Sequence, residues 1–116
     1  MNDIKEMVKL VYKALDEKKA EDIRIIEIGD VSSIADYFVI ANGTNPNQVG
    51  ALVDSVEQEL AKAGVRPKRI EGLGNSSWVL MDYSDIIIHV FSKEDRAFYD
   101  LERIWRDGKS LGVEEL

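Results

Sequence analysis

The chain contains no cysteine and only one histidine, His89. The lack of cysteine excludes disulfide bonds, thiolate metal sites and a cysteine nucleophile. A lone histidine on an apolar strand has no partners for a metal site, and we expect it to be a hydrogen-bonded core residue. The serines show no nucleophile-elbow pattern. The sequence therefore gives little support for catalysis.

Long apolar runs are missing as well. No stretch approaches the roughly 20 residues that span a membrane, and the N-terminal stretch lacks the apolar region of a signal peptide. We therefore expect a cytoplasmic protein. Positive charge is scarce, with 15 Lys and Arg against 22 Asp and Glu and a formal net charge of -7. Such a chain repels phosphate backbones, which argues against nucleic-acid binding as the main activity and favours a basic partner.

Helical and strand periodicities alternate along the 116 residues. Amphipathic helices are predicted at residues 3–19, from Pro46 to Gly64, and after Ser92, where Phe98, Leu101, Ile104 and Trp105 form a stripe. Strands are predicted at about residues 23–28, 37–41, 69–71, 78–81 and 86–91. This order predicts an α/β fold with a mixed sheet of about five strands flanked by helices. We expect one domain over residues 1–106 and a flexible acidic tail over residues 107–116.

The strands at residues 78–81 and 86–91 form the most informative pair. The second is nearly all apolar, which is typical of a central strand covered on both faces. On the first, Trp78 and Leu80 share one face because successive side chains alternate. The pattern leaves open whether that face is exposed, as a binding hot spot would be, or covered as core.

Asp82 and Asp85 flank the turn between these strands. Two nearby carboxylates can hold Mg²⁺, and with the Gly43-Thr44 turn they suggest a nucleotidyltransferase layout. Against this, the acids are three residues apart, no third acid is evident, and the turn lacks the P-loop lysine. Carboxylates that cap backbone amides in the turn, or that face a partner, are the favoured interpretation. A Mg²⁺-dependent nucleotidyltransferase and a dimerisation module remain as alternatives.

An ordered series of segments carries a resemblance over nearly the whole chain. The segments are residues 32–40, Gly43 with Gln48-Val49, Glu71-Gly72, residues 78–85, residues 88–91 and residues 96–105. In this order they resemble the ribosomal silencing factors, also called Iojap-like proteins. Members of that family commonly carry Ser and Arg where this chain has Pro46-Asn47, so we leave this turn out of the expected interface.

The resemblance implies a fold related to nucleotidyltransferases but without their activity, and with no cofactor or metal. It implies binding to the large ribosomal subunit through ribosomal protein L-fourteen, which blocks joining of the small subunit and represses translation when nutrients are scarce. It also implies a homodimer when the protein is free. With strand alternation and charge, it suggests a set of partner-binding residues. These are Trp78, Leu80, Asp82, Tyr83, Asp85, Arg96, Tyr99 and Glu102.

Overall fold

Two helices and six strands make up the described part of the chain. The computed structural model describes residues 4–29, 33, 35–72, 78–92 and 109–112. The helices are α1 (Ile4–Glu17) and α2 (Pro46–Lys62). The strands are β1 (Glu21–Glu27), β2 (Tyr37–Gly43), β3 (Arg69–Glu71), β4 (Trp78–Asp82), β5 (Ile86–Ser92) and β6 (Lys109–Leu111).

The strands form one mixed sheet in the order β3-β4-β5-β2-β1-β6. β1 pairs antiparallel with β2, and β4 with β5, as short connections favour. β2 and β5 run parallel, joined in sequence through α2. The predicted α/β fold with a mixed sheet is therefore confirmed, and β5 lies inside the sheet with six of its seven residues buried.

The sixth strand differs from the prediction. Lys109–Leu111 pairs antiparallel with residues 25–27 of β1, so a flexible tail is the wrong description of these three residues. The pairing satisfies backbone groups at the outer edge of β1, and Leu111 packs half-buried against the main core. The assignment of residues 1–106 to one domain stays a prediction.

Both described helices pack on the same face of the sheet. α1 is strongly amphipathic, and its apolar positions recur every three or four residues, so it turns one side toward the strands. α2 does the same, and the two helices also contact each other. The buried residues of the helices are Met7, Val8, Val11, Ala14 and Leu15 in α1, and Val49, Leu52, Val53, Ser55, Val56 and Leu60 in α2.

A side-chain cap fixes the first turn of α2, and backbone hydrogen bonds close its last turn. The Asn45 Oδ1 accepts a hydrogen bond from the Gln48 amide at 2.9 Å, which confirms Asn45 as the N-cap. The Gln48 Nε2 donates to the Lys18 carbonyl at 2.9 Å, linking this turn to the segment that follows α1. At the other end Gly64 adopts φ +80°, and the Gly64 and Val65 amides satisfy the last carbonyls. The predicted end of α2 at Gly64 is confirmed.

A second apolar cluster covers the opposite face of the sheet. Its members alternate with the main-core residues along β1, β2 and β5, as a sheet buried on both faces requires. Trp78 and Leu80 of β4 pack against it and are half-buried. The predicted helix after Ser92 lies outside the described residues. The members of the cluster are Ile26, Ile28, Ala35, Phe38, Ile40, Ile87 and Phe91.

Candidate protein-binding surface

β4 turns two chemically different faces to its surroundings. Val79 and Met81 are buried under α1 and α2 as part of the main core. Trp78, Leu80 and Asp82 alternate with them, point to the other face and are half-buried. Trp78 and Leu80 thus lie on the face away from the described helices and keep part of their surface accessible.

A cleft opens beside Trp78 and Leu80. Its volume is about 220 Å³, and it is lined by Glu71, Gly72, Trp78 and Leu80. Glu71 is exposed at the end of β3, opposite Leu80 in the pairing register. The cleft thus combines an indole, an aliphatic side chain and a carboxylate. This combination suits a cationic side chain with a long apolar stem, such as Lys or Arg.

Trp78 contacts aromatic residues of the neighbouring strand β5. Its ring stacks on Phe91, with centroids 5.5 Å apart and an interplanar angle of 18°. The Trp78 Nε1 donates a hydrogen bond to the His89 Nδ1 at 3.0 Å. The Phe38 ring meets His89 edge-on at a centroid distance of 4.9 Å. His89 is 4% exposed, so the prediction of a hydrogen-bonded core histidine is confirmed.

Burial keeps His89 neutral. It lowers the pKa of the imidazole from 6.5 to about 4, because the apolar surroundings disfavour the charged form. An indole nitrogen can only donate, so the His89 Nδ1 must be the unprotonated nitrogen and Nε2 must carry the proton. Nε2 is buried without a hydrogen-bond partner among the residues that the structure describes.

We expect acid to destabilise the protein through His89. The folded-state pKa of about 4 lies below the unfolded value of 6.5, so between these pH values the unfolded state binds more protons. The free energy of unfolding is therefore unaffected by the titration of His89 above pH 6.5. It falls as pH drops from 6.5 toward 4, by up to about 3 kcal/mol. Urea unfolding of the wild type and of His89→Phe from pH 7 to pH 4 measures it. A pH dependence that is identical in the two proteins would contradict this assignment.

The turn between β4 and β5 uses Asp82 as a structural carboxylate. The Asp82 Oδ1 accepts a hydrogen bond at 2.8 Å from the amide of Ser84, a residue whose φ is +71°. The Asp82 Oδ2 lies 3.4 Å from the Arg69 Nε. Asp82 thus caps a backbone amide, as the favoured interpretation predicted, and its second oxygen pairs with Arg69.

Asp82 and Thr44, two of the residues that suggested a nucleotidyltransferase, make hydrogen bonds within the fold. The Thr44 amide and hydroxyl both donate to the Gln48 Oε1, so these donors are already occupied within the turn. No cluster of three potential metal ligands occurs in the part of the chain that the structure describes.

Among the described residues, no helix is long and apolar enough to cross a membrane.

Comparison with known proteins identifies the family. The family model described as "Ribosomal silencing factor during starvation" matches residues 1–116.

The chain belongs to the ribosomal silencing factor family.

The ribosomal silencing factor of Halalkalibacterium halodurans is 37% identical over 109 residues, which cover 94% of this chain and 93% of that protein. The chloroplastic Iojap protein of Zea mays is 28% identical and covers 80% of this chain and 40% of its own length. A crystal structure of a Chromobacterium violaceum protein, 34% identical, superposes with a TM-score of 0.88 over 90% of this chain and 88% of that chain. The resemblance to ribosomal silencing factors and Iojap-like proteins is confirmed.

The structure brings some of the expected partner-binding residues of this family member together and separates others. Trp78, Leu80 and Asp82 share one face of β4. Tyr83 is 5% exposed within the main core, and burial and then Glu57 raise the pKa of its hydroxyl to about 12. The Tyr83 side chain points away from the Trp78 face because successive side chains of a strand alternate and Tyr83 directly follows Asp82.

Asp85 is exposed in the turn, and its carbonyl accepts hydrogen bonds from two backbone amides. Arg96, Tyr99 and Glu102 lie outside the described residues.

Residues of β3 complete the surface and were missed by the sequence analysis. Glu71 and Gly72 line the cleft, and the Arg69 Nη1 lies 3.7 Å from the Glu71 Oε1. The Glu71-Gly72 pair already stood out as a segment of the resemblance. What the sequence did not reveal is the register that places Glu71 opposite Leu80 and Arg69 opposite Asp82.

Proposed function

We propose that this family member is a ribosomal silencing factor that binds the large ribosomal subunit through ribosomal protein L-fourteen. The bound protein would stand in the way of the small subunit, block joining of the subunits and repress translation under nutrient limitation. The proposed activity is binding in the cytoplasm and not catalysis. Family membership and the cleft beside Trp78 support it.

The observation that carries the proposal is the half-buried Trp78 beside the exposed Glu71. Trp78 and Leu80 offer apolar area that a partner can desolvate, and tryptophan is enriched among the residues that dominate binding energy. Glu71 stands at the cleft, and Asp82 lies farther along the same face. On a chain of net charge -7, this surface would attract a basic ribosomal protein and repel bare RNA.

Sedimentation with separated ribosomal subunits tests the proposal. The purified protein is expected to pellet with the large subunit and to remain in the supernatant with the small one. Because charge steers the encounter, the pelleted fraction should fall as salt is raised. Pre-incubation with the protein should also reduce the amount of joined ribosomes when small subunits are added. Equal pelleting with both subunits, or with neither, would contradict the proposal.

We extend the proposal to the free protein, which we expect to form a homodimer, as the family resemblance implies. Light scattering across a concentration series measures this. A complex whose mass equals that of one factor molecule and one L-fourteen would show that the two interfaces overlap. A dimer that persists in the complex would show that they are separate.

A further inference from the structure

The hydrogen bond between Trp78 and His89 crosses the sheet diagonally. In the β4–β5 register Trp78 stands opposite Phe91 and Leu80 stands opposite His89. The Trp78 indole nevertheless reaches the His89 Nδ1 at 3.0 Å, while its ring stacks on Phe91. The ring therefore lies along β5, with its nitrogen edge directed at the imidazole. The stacking on Phe91 and the hydrogen bond to His89 thus both help to orient this half-buried side chain.

His89 is a costly residue for the core. Its ring is enclosed by Phe38, Phe91 and Trp78, and its Nε2–H is buried without a partner among the described residues. A buried donor without a partner destabilises a fold, so an apolar ring of similar shape would pack here at lower cost. Stability alone does not explain a histidine at this position. The hydrogen bond that its Nδ1 accepts from Trp78 does offer a reason.

The contact has a direct consequence for the cleft. Trp78 lines it together with Glu71, Gly72 and Leu80. Without the acceptor, the indole N–H would lose its hydrogen bond to Nδ1, and the ring could rotate away from its place along β5. The cleft would then change shape. A side chain that is already ordered before association loses less entropy on binding, so a fixed indole favours affinity.

We infer that His89 is a positioning residue whose Nδ1 holds the Trp78 indole in place as the wall of the cleft, ready for the partner. The inference rests on the proposed function, since the partner is the large ribosomal subunit. His89 itself lies beneath the surface and does not touch the partner. Burial keeps it neutral at pH 7, so the Nδ1 lone pair is available to the indole.

Two substitutions test the hydrogen-bond acceptor and the aromatic ring of His89 separately. His89→Phe keeps an aromatic ring against Phe38 and Phe91 and removes the acceptor. His89→Asn loses the ring but places its Oδ1 near the position of Nδ1, so it restores the acceptor. The readouts are the affinity for purified large ribosomal subunits and the indole N–H signal of Trp78 by nuclear magnetic resonance, assigned by comparison with Trp78→Phe.

We expect the two His89 variants to rank in one order for stability and in the opposite order for affinity. His89→Phe should be at least as stable as the wild type, yet bind large subunits about five- to tenfold more weakly. Its indole N–H signal should shift, and this proton should exchange faster with solvent. His89→Asn should be less stable but keep its affinity within about twofold, with the indole signal near its wild-type position. Wild-type affinity of His89→Phe, or equal loss of affinity in both variants, would overturn the inference.

Trp78→Ala distinguishes this inference from the proposed function. If Trp78→Ala loses binding and His89→Phe keeps it, the binding surface is correct and the positioning role is wrong. If Trp78→Ala binds like the wild type, or the wild type does not pellet with large subunits, the proposed surface and the positioning role are both wrong.

Discussion

Trp78→Ala is expected to weaken binding to the large ribosomal subunit by about 100-fold or more. The substitution removes the largest apolar side chain of the proposed surface and one wall of the cleft. It also removes the stacking partner of Phe91. Titration of labelled protein with purified large subunits gives the dissociation constant, and a thermal melt shows that each variant is folded at the temperature of the assay.

Tyr12→Ala is the matched control. Tyr12 is also a half-buried aromatic residue, but it packs on α1 against the main core, on the other face of the sheet. Both substitutions should lower stability by about 2–3 kcal/mol, because each removes a large packed ring. Only Trp78→Ala should weaken binding. Equal weakening in the two variants would show that binding follows stability, and the Trp78 face would lose its special role.

Gly72→Val should lower the free energy of unfolding by about 4 kcal/mol. Gly72 has φ +88°, a conformation that costs a β-branched residue about 1–3 kcal/mol. A Cβ at this position would also overlap the Trp78 carbonyl oxygen, which is backbone and cannot rotate away. Relief of that overlap requires β3 and β4 to separate, at a further cost of about 1–3 kcal/mol. Urea unfolding measures the change.

Gly50→Ala provides the opposite case in the same chain. Gly50 is exposed within α2, and a Cβ there would meet nothing within 4 Å. Alanine should therefore raise the free energy of unfolding by about 0.5–1 kcal/mol, since glycine weakens a helix interior. A loss below about 1 kcal/mol for Gly72→Val would mean that the strand end relaxes freely, which contradicts the close approach to Trp78.

Much of the fold was predictable because its signals are local. The periodicity of α1, the cap at Asn45 and the stop at Gly64 each lie within a few residues of the feature that they specify. β6 was not predictable in this way. Lys109–Leu111 is short and lies in a polar stretch, and it is a strand only because β1 offers it a free edge. Pairing across such a distance leaves no mark in the local sequence.

In the candidate site, too, local features were predictable and features that depend on strand pairing were not. Alternation placed Trp78, Leu80 and Asp82 on one face, and the structure confirms that placement. Alternation could not say which face the helices cover, and by the same rule Tyr83 falls on the inner side. The sequence marked His89 as a core histidine, but its bond to Trp78 is diagonal and depends on the pairing register of two strands.

The parallel pairing of β2 with β5 gives the sheet a seam between two halves. On one side β3, β4 and β5 are consecutive antiparallel strands, and on the other β1 and β2 form a pair with a short connection. Each set assembles from contacts that are near in sequence, whereas the seam joins Tyr37 to Ile86 and closes a long loop that contains α2. Joining the halves therefore closes a longer loop than any pairing within either set. His89 lies on that seam opposite Ile40, so the residue proposed to orient Trp78 also belongs to the interface that holds the two halves of the sheet together.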